Sequence, residues 1–311
     1  MKILITGGTG LIGRSLCTTL FHAGYDLIVL SRNASKARGR LPSGIQLIQW
    51  QPGAEGVPLE ALEGVEAVIN LAGENIGVGR WTASRKQLIM QSRVGITRAL
   101  VEGFQGLSKP PRVFISGSAI GYYGPCGDEE LTEASSPGND FLAKVCRAWE
   151  QEANRAGELG VRVVTIRTGI VLSREGGTLP RMVTPFRLFL GGPLGSGRQW
   201  VSWIHIVDAV GIIQLALEHT SVAGPLNLTA PQPVRMEEFA SVLGRVLQRP
   251  SSLRVPAWVL KMALGEMAAL LLTGQRVLPA RALQEGYQFR YPELAGALED
   301  LLISSRYERR G

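Results

Sequence analysis

Four closely spaced glycines near the start of the chain have the spacing of a phosphate-binding turn. They follow an apolar run at residues 3–5 and precede a segment in which Leu16, Leu20 and Phe21 share one helical stripe that ends at Gly24. Strand, glycine turn and helix in this order place free backbone amides where they can bind a pyrophosphate. The alternative is a turn that only joins two core elements. The glycines are Gly7, Gly8, Gly10 and Gly13.

Basic residues follow the second apolar run, YDLIVL, and indicate which dinucleotide would bind. Ser31 and Arg32 stand at the carboxyl end of this predicted strand, whereas Asp26 lies at its beginning. An acidic residue at the carboxyl end favours NAD, and an arginine there favours the 2′-phosphate of NADP. The sequence therefore predicts NADP(H), with a surface role for Arg32 as the alternative. Further cations follow at Lys36, Arg38 and Arg40.

Composition places the chain among globular proteins. Of 311 residues, 45% are hydrophobic and 19% are charged, which is enough apolar material for a substantial core. Lys and Arg outnumber Asp and Glu by 33 to 26, with arginines concentrated at residues 32–40 and again at Arg306, Arg309 and Arg310. No nucleic-acid motif accompanies this charge, so a solvated basic surface is expected and no nucleic-acid partner.

Cysteine and histidine spacing argues against a metal site. The three cysteines and the three histidines are widely separated along the chain, and we expect no bound metal and no disulfide framework. The first predicted strand begins at once, so no signal peptide is expected. The most apolar region, 257–272, is interrupted by Lys261 and Glu266 and is too short to span a bilayer. The sequence predicts a cytoplasmic protein without a membrane partner.

Strands alternate with helices through most of the chain. Apolar runs predict strands at 25–30, 45–50, 65–72 and 161–172, and another at 112–124 that runs into a loop; helical periodicity predicts helices at 83–105 and 141–157. This order indicates an α/β fold with a Rossmann-type, doubly wound parallel sheet. Arg93 lies off the apolar stripe of its helix, so it either turns toward a cofactor or meets water.

The pattern changes after residue 172. Residues 173–203 are rich in glycine and proline, a strand and helix resume at 203–219, and 224–230 is the last predicted strand. We predict a dinucleotide-binding domain from 1–172 and 204–230, and a smaller, mostly helical substrate lobe from 173–203 and 231–311. Within that lobe, Arg187 could bind an anion or extend into solvent.

A hydrolase is a competing hypothesis. Ser118, His205 and Asp208 could form a Ser-His-Asp set, but Ser118 lies in SGSAI and lacks the Gly-x-Ser-x-Gly pattern of a nucleophile elbow. Asp208 stands where a strand ends and a helix begins, so we favour a helix-capping role for it.

Four motifs in order resemble those of the extended short-chain dehydrogenase/reductases of the nucleotide-sugar epimerase type. They are TGGTGLIG at the start, NLAG at 70–73, SGSAIGYYG at 116–124 and WIHIVDAV at 203–210. The longer runs NLAGENI, PFRLFLGGPLGSGRQWVSWIHI and GQRVLPARALQEGYQF are similar to the epimerase-like branch typified by bacterial YfcH. The resemblance covers nearly the whole chain.

The resemblance implies an NADP(H) site in the first lobe and a substrate cleft between the lobes. It places residues around the pyrophosphate, at the adenosine end, along the fourth strand and near the nicotinamide, with Arg93 and Leu142 as further contacts. The residues around the pyrophosphate are Gly7, Gly10, Leu11, Ile12 and Gly13, and those at the adenosine end are Ser31 and Arg32. Leu71, Ala72 and Gly73 lie along the fourth strand, and Thr168 and Gly169 lie near the nicotinamide.

The catalytic positions depart from that family. Its members use a serine together with a tyrosine and a lysine spaced Tyr-x-x-x-Lys on a helix, the lysine lowering the pKa of the tyrosine. Ser118 fits the serine. Taking Lys144 as the lysine puts Asp140 at the tyrosine position, whereas aligning Glu150 with the family's acidic residue puts Leu142 and Cys146 at the two positions. Neither alignment contains a tyrosine.

Two interpretations follow. In the first, Tyr122 or Tyr123 supplies the proton with help from Lys144, and the protein carries out redox or epimerisation chemistry on an unknown carbonyl or sugar-like molecule. In the second, it binds NADP(H) without turnover, as a cofactor-sensing regulator or partner-binding protein. Both tyrosines could also simply line the cleft.

Overall fold

The computed structural model describes residues 1–304. The predicted basic cluster of Arg306, Arg309 and Arg310 lies outside the described residues. The described residues form a seven-stranded parallel sheet in the order β11-β7-β5-β4-β1-β2-β3, which confirms the predicted α/β class. The strands are β1 (Lys2–Thr6), β2 (Asp26–Ser31), β3 (Gln46–Gln49), β4 (Ala67–Asn70), β5 (Val113–Ala119), β6 (Glu130–Leu131), β7 (Arg162–Thr168), β8 (Ile170–Leu172), β9 (Trp200–Val201), β10 (Trp203–His205), β11 (Gly224–Leu228), β12 (Val234–Arg235) and β13 (Arg276–Val277).

Helices cover both faces of this sheet and form most of the chain after β11. The helix predicted at 83–105 has those bounds, because Thr82 caps its start and Gly106 follows its end. The helices are α1 (Leu11–His22), α2 (Ala34–Arg38), α3 (Leu59–Leu62), α4 (Ala83–Gln105), α5 (Phe141–Asn154), α6 (Leu179–Arg187), α7 (Ile206–Glu218), α8 (Met236–Leu247), α9 (Ala257–Leu264), α10 (Ala269–Leu272), α11 (Ala280–Gln284) and α12 (Leu294–Glu299), with 3₁₀ turns at Ile120–Tyr123, Arg155–Leu159 and Gly265–Ala268 and a π-helical turn at Asp300–Ser304.

The strand predicted at 161–172 is two strands. β7 ends at Thr168 and pairs with β5 and β11 in the main sheet, whereas β8 pairs with β10 in a separate ladder. A Cβ at Gly169 would lie 2.5 Å from the carbonyl oxygen of Ser202, so only glycine allows the two ladders to cross here. The uninterrupted apolar run gave no sign of this change of sheet.

Buried apolar side chains fill both sides of the sheet. One cluster joins α1 and α7 to the face that carries Ile5 and Ile69, and a second joins α4 to the face that carries Leu4 and Phe114. A third cluster lies outside the sheet and packs α6 and α8 against α12. The sheet is therefore packed between two layers of helices, and the third cluster packs together helices that lie outside the sheet.

The start of α7 differs from the prediction. His205, not Asp208, caps the helix, because its Nδ1 accepts a hydrogen bond from the backbone N–H of Val207 at 3.1 Å. The buried Asp208 carboxylate instead accepts hydrogen bonds from the backbone N–H groups of Arg290 and Tyr291 and from the Tyr287 hydroxyl. Asp208 thus holds the segment that leads into α12.

Candidate functional site

A cleft of about 1040 Å³ lies at the carboxyl ends of β1, β2 and β4. Parallel α/β sheets bind their ligands at this edge, because the strands end there and the loops diverge. Its wall includes seven of the predicted cofactor residues, together with two further cations that follow β2. These are Gly7, Gly10, Ser31, Arg32, Leu71, Ala72 and Gly73, with Lys36 and Arg40.

The glycine turn at the floor of the cleft is packed too closely for side chains. Gly7 has φ +71°, and a Cβ there would lie 2.6 Å from the carbonyl carbon of Leu71. A Cβ at Gly13 would lie 2.2 Å from the carbonyl oxygen of Gly7, so this glycine allows α1 to pack directly on the turn. No side chain of the described residues caps α1, which leaves its first amides directed at the cleft.

The adenosine end of the cleft is basic and already ordered. The Asn33 side chain caps α2 by accepting a hydrogen bond from the backbone N–H of Lys36 at 2.9 Å, and the Ser31 hydroxyl bonds within the same turn. These bonds fix the turn from which Arg32, Lys36 and Arg40 reach the cleft. Arg38, on the same short helix, is exposed and is not part of the cleft wall.

A chain of buried hydrogen bonds supports the cleft wall at β4. The Thr6 hydroxyl donates to Asn70 at 2.6 Å, the Asn70 amide donates to Thr97 at 2.9 Å, and the Trp149 indole donates to the same threonine. These bonds connect β1 and β4 to α4 and α5. The wall residues that follow Asn70 therefore sit on a fixed support.

Arg93 packs against the protein rather than meeting water, and its contact with a cofactor stays a prediction. Its guanidinium donates to the carbonyl oxygen of Glu74 and lies 5.3 Å from the centroid of the Trp149 ring. A Cβ at Gly73 would lie 3.2 Å from that guanidinium. Burial lowers the pKa of Arg93 from its usual value. Arg93 thus packs behind the Gly73 wall of the cleft.

A second buried network lies where β5, β7 and β11 end. Ser118 and Asn227 are both Cα partners of Arg167, on opposite sides of β7. The Ser118 hydroxyl donates to Glu150 at 2.6 Å, and the Arg167 guanidinium donates to both oxygens of the same carboxylate at 2.9 Å. All four residues are buried. Such a pair is stable only because each charge is fully hydrogen-bonded.

The two adjacent tyrosines are held differently. Tyr123 is 1% exposed, its hydroxyl donates to Asn227 at 2.7 Å and accepts from Arg167 at 3.0 Å, and burial raises its pKa to about 12. Tyr122 is half-buried, with its ring centroid 3.4 Å from the guanidinium carbon of Arg167. The Tyr122 hydroxyl makes no hydrogen bond to the described part of the chain, whereas the Tyr123 hydroxyl is bonded on both sides.

Comparison with known proteins gives the chain a family. The sequence profile of the NAD-dependent epimerase/dehydratase family matches residues 3–228, and a domain of unknown function, DUF1731, matches residues 255–301. The chain belongs to the NAD-dependent epimerase/dehydratase family. This confirms the resemblance drawn from the glycine turn and the three later motifs.

Relatives match this epimerase family member over nearly its full length. Epimerase family protein YfhF of Bacillus subtilis is 40% identical over 308 residues, which are 98% of this chain and 99% of that protein. The crystal structure of human epimerase family protein SDR39U1 (isoform 2) with NADPH is 35% identical, has a TM-score of 0.86, and covers 98% of this chain and 100% of its own. A UDP-glucuronic acid 4-epimerase from Bacillus cereus is 17% identical with a TM-score of 0.79 (97% and 98% covered), which shows the shared fold alone.

In this epimerase family member, one face of α5 is directed at Ser118. Glu150 hydrogen-bonds to Ser118, Cys146 lies beside the same hydroxyl one turn earlier, and Leu142 packs on Gly121 one turn before that. The alignment that puts Leu142 and Cys146 at the Tyr-x-x-x-Lys positions is therefore the one that faces the site. Burial raises the pKa of Cys146 to about 12, so its thiol is neutral.

Lys144 is not brought to this group. It is exposed and lies two residues from both Leu142 and Cys146, roughly 200° around α5 from each. Asp140, the tyrosine position in the other alignment, caps α5 by accepting a hydrogen bond from the backbone N–H of Ala143 at 2.8 Å. The structure thus separates Lys144 from both tyrosines and from Ser118.

The remaining predicted cofactor residues are not part of the cleft wall. Leu11 contacts the 173–178 loop, where a Cβ at Gly177 would lie 2.9 Å from its side chain. Ile12 packs against the core cluster that contains α1. Thr168 and Gly169 stand at the crossing of the two ladders, the carboxyl end of β7. Their contact with a cofactor stays a prediction.

The hydrolase hypothesis is wrong for this geometry. The Ser118 hydroxyl donates to Glu150, the Nε2 of His205 faces Asp300 at 3.3 Å, and the Asp208 carboxylate binds backbone near α12. The burial of His205 lowers its pKa, and its Nδ1 is used as a helix cap. These groups belong to two unconnected networks, so they form no Ser-His-Asp relay.

Sequence analysis missed the role of Arg167, Glu133 and Asn227. Arg167 and Asn227 are polar residues inside apolar strands, and that position was the available signal, since a buried charge needs a partner. Glu133 accepts hydrogen bonds from the backbone N–H of Asn227 and of Arg281. Nothing in its local sequence indicates these contacts.

Proposed function

We propose that this protein binds NADP(H) in the cleft and uses it for redox or epimerisation chemistry on a carbonyl or sugar-like small molecule. The observation that carries the cofactor assignment is the charge at the adenosine end: Arg32, Lys36 and Arg40 line it. The sequence contains no Asp or Glu between Asp26 and Glu55. A 2′-phosphate would meet these three cations and form charge-assisted hydrogen bonds with them.

The floor of the cleft fits the rest of a dinucleotide. The closely packed glycine turn would let the pyrophosphate approach the backbone, and the uncapped amides at the start of α1 would bind it. The relative crystallised with NADPH, at 35% identity and over almost the whole chain, supports the same assignment.

The reduced nicotinamide, when bound, supplies a hydride; the chain must supply and position a proton. Ser118 is engaged by Glu150, and the Tyr123 hydroxyl is enclosed by Asn227 and Arg167. Tyr122 is left as the proton donor, because its hydroxyl makes no hydrogen bond to the described residues and its ring is held by the Arg167 guanidinium. That guanidinium is fixed in turn by Glu150.

The second candidate function is NADP(H) sensing without turnover. The specific observation that favours it is the α5 face: Leu142 and Cys146 occupy the positions from which the family's tyrosine and lysine act, and neither group exchanges a proton with substrate readily. In this case, occupancy of the cleft would be the signal and the neighbouring surface would report it.

Two measurements test these proposals. Titration of purified protein with NADPH and NADH should show tighter binding of NADPH; no binding of either would overturn both candidates. NADPH oxidation is then followed with a panel of aldehydes, ketones and sugars. Turnover that Tyr122→Phe abolishes, and that Lys144→Met leaves intact, supports the enzyme. Tight NADPH binding with no turnover on the panel supports the sensor and overturns the role of Tyr122.

A further inference from the structure

An exposed apolar patch lies at the end of α6. Leu188, Phe189, Leu190 and Leu253 are each between 51% and 64% exposed. They are neighbours, because the backbone N–H of Leu253 donates to the carbonyl oxygen of Gly191 at 3.1 Å, next to Leu190. We call these four residues the apolar patch. Soluble proteins expose single apolar side chains often but rarely a contiguous group of this size.

At the end of α6, the backbone that carries this patch adopts a conformation that its residue type disfavours. The N–H of Leu190 donates to the carbonyl oxygen of Pro185 and that of Phe189 to Phe186, which is a Schellman motif ending α6. Its left-handed position, normally glycine, is Phe189 with φ +62°. A bulky residue at this φ is disfavoured, and here the ring is 57% exposed, so no burial compensates. The strain and the exposure together indicate a binding role for the ring.

The two stretches of chain that meet at the patch carry one sign of charge. Residues 176–207 and 239–265 contain Arg and Lys but no Asp or Glu. These two stretches meet at the patch, where Val255 N–H donates to Pro193 and Gly195 N–H donates to Val255. The Arg249 guanidinium lies 4.6 Å from the Phe189 ring centroid, and Arg187 precedes the patch directly. Neither arginine pairs with a carboxylate of residues 1–304.

Helix α9, which follows Leu253 in the chain, also exposes apolar side chains next to a cation. Trp258 and Met262 are one turn apart on α9, 63% and 67% exposed, with Lys261 beside them. They begin five residues after Leu253. Exposed Trp, Phe and Leu with interspersed Lys and Arg is the composition of surfaces that insert into the membrane interface, where the rings enter the acyl boundary and the cations meet lipid phosphates.

We propose that the apolar patch, with Trp258 and Met262, docks on an anionic phospholipid bilayer. Charge selects this occupant: the two basic stretches that meet at the patch complement a layer of lipid phosphates. The docking is interfacial, and no helix of residues 1–304 is long and apolar enough to cross a membrane. Sequence analysis did not identify this surface, because the basic stretches and the patch assemble from segments about sixty residues apart.

The test is sedimentation with sucrose-loaded vesicles, either of phosphatidylcholine alone or of equal parts phosphatidylcholine and phosphatidylglycerol. The full chain should sediment with the anionic vesicles, weakly or not at all with the neutral ones, and less at high salt. Phe189→Gly should weaken binding by about tenfold, and Arg249→Gln by about fivefold.

Phe189→Gly separates docking from folding. Glycine is the preferred residue at this Schellman position, so the variant should melt at the same temperature or higher while it loses vesicle binding. Leu59→Gln and Arg112→Gln are the matched controls, since both residues are exposed and lie outside the two basic stretches. Both controls should bind as the parent does.

Three results of the vesicle experiment would overturn the proposal. They are no sedimentation with anionic vesicles at low salt, equal binding of Phe189→Gly and the parent, or equal loss in the controls. Retention by an acidic protein without any lipid binding would also overturn it and would assign the patch to a protein partner instead.

Discussion

Ser118 and Arg167 are direct Cα partners across β5 and β7, and their side chains bind the same carboxylate, that of Glu150 on α5. The serine that the family resemblance marks as catalytic is therefore part of a buried ion-pair network. The hydroxyl is positioned by an acid rather than by a tyrosine and a lysine. The Arg167 guanidinium also contacts both tyrosines, because it packs on the Tyr122 ring and donates a hydrogen bond to the Tyr123 hydroxyl.

Removal of the Glu150 carboxylate, which Ser118 and Arg167 share, should strongly destabilise the protein. Glu150→Ala leaves Arg167 buried and charged without its partner, so we expect the free energy of unfolding to fall by about 3–5 kcal/mol, measured by urea denaturation. Glu237→Ala is the control. Its contact with Arg254 is 4.0 Å long and exposed, and it should change stability by less than about 1 kcal/mol. Similar losses in the two variants would show that the Ser118 network contributes no more than a surface pair.

Local sequence was sufficient for the glycine turn and for most helices and strands of the sheet. Apolar runs bounded by Gly7 or by Thr82 identify elements whose residues are close in sequence. The network at Ser118 could not be predicted in this way, because its partners come from 32 and 49 residues away. The two alignments of α5 differ only in which face meets β5, and that is decided by packing in three dimensions.

The end of β7 is another feature that local sequence could not predict. The apolar pattern continues through Gly169, yet the chain changes sheets there because neighbouring backbone leaves no room for a Cβ. Asp208 was expected to cap the helix on which it lies. It holds a segment about eighty residues away instead, and His205 provides the cap.

Cofactor choice should depend on Arg32 and not on nearby charge in general. Arg32→Ala should weaken NADPH binding by about tenfold or more, because charge-assisted bonds to a phosphate are lost. NADH affinity should hardly change. Arg38→Ala removes the same charge six residues away, from a side chain outside the cleft wall, and should leave both dissociation constants unchanged. Equal effects of the two variants would contradict a 2′-phosphate contact.

Gly13 should tolerate no side chain, since its Cβ would meet the backbone of Gly7 and Gly8 at 2.2 and 2.7 Å. Gly13→Ala should push α1 away from the turn, lower stability by about 1–3 kcal/mol and abolish NADPH binding. Gly296→Ala, in α12 with open space around it, should raise stability by up to about 1 kcal/mol. Thermal melts and a NADPH titration measure both. Retained binding in Gly13→Ala would show that the close packing is dispensable.

Thiol reactivity reports whether the face of α5 beside Ser118 is closed. Cys17 and Cys146 are buried, and burial raises the pKa of each to about 12, so neither forms the reactive thiolate in the folded protein. Cys126 is half-buried, and burial raises its pKa above the usual value. Native protein should therefore react with a disulfide reagent at one thiol only, slowly at neutral pH and faster as the pH rises. In urea, all three should react.

Cys126→Ser is the matched variant and should remove the native reaction entirely while leaving two thiols in urea. A second reactive thiol in the native parent, or any reactive thiol in native Cys126→Ser, would contradict this structure of the site. If that thiol is Cys146, the α5 face opens in solution, and the position that holds lysine elsewhere in the family is accessible to ligands. If Cys146 stays unreactive, the wall beside Ser118 is closed, and proton transfer has to come from the Tyr122 side of the network.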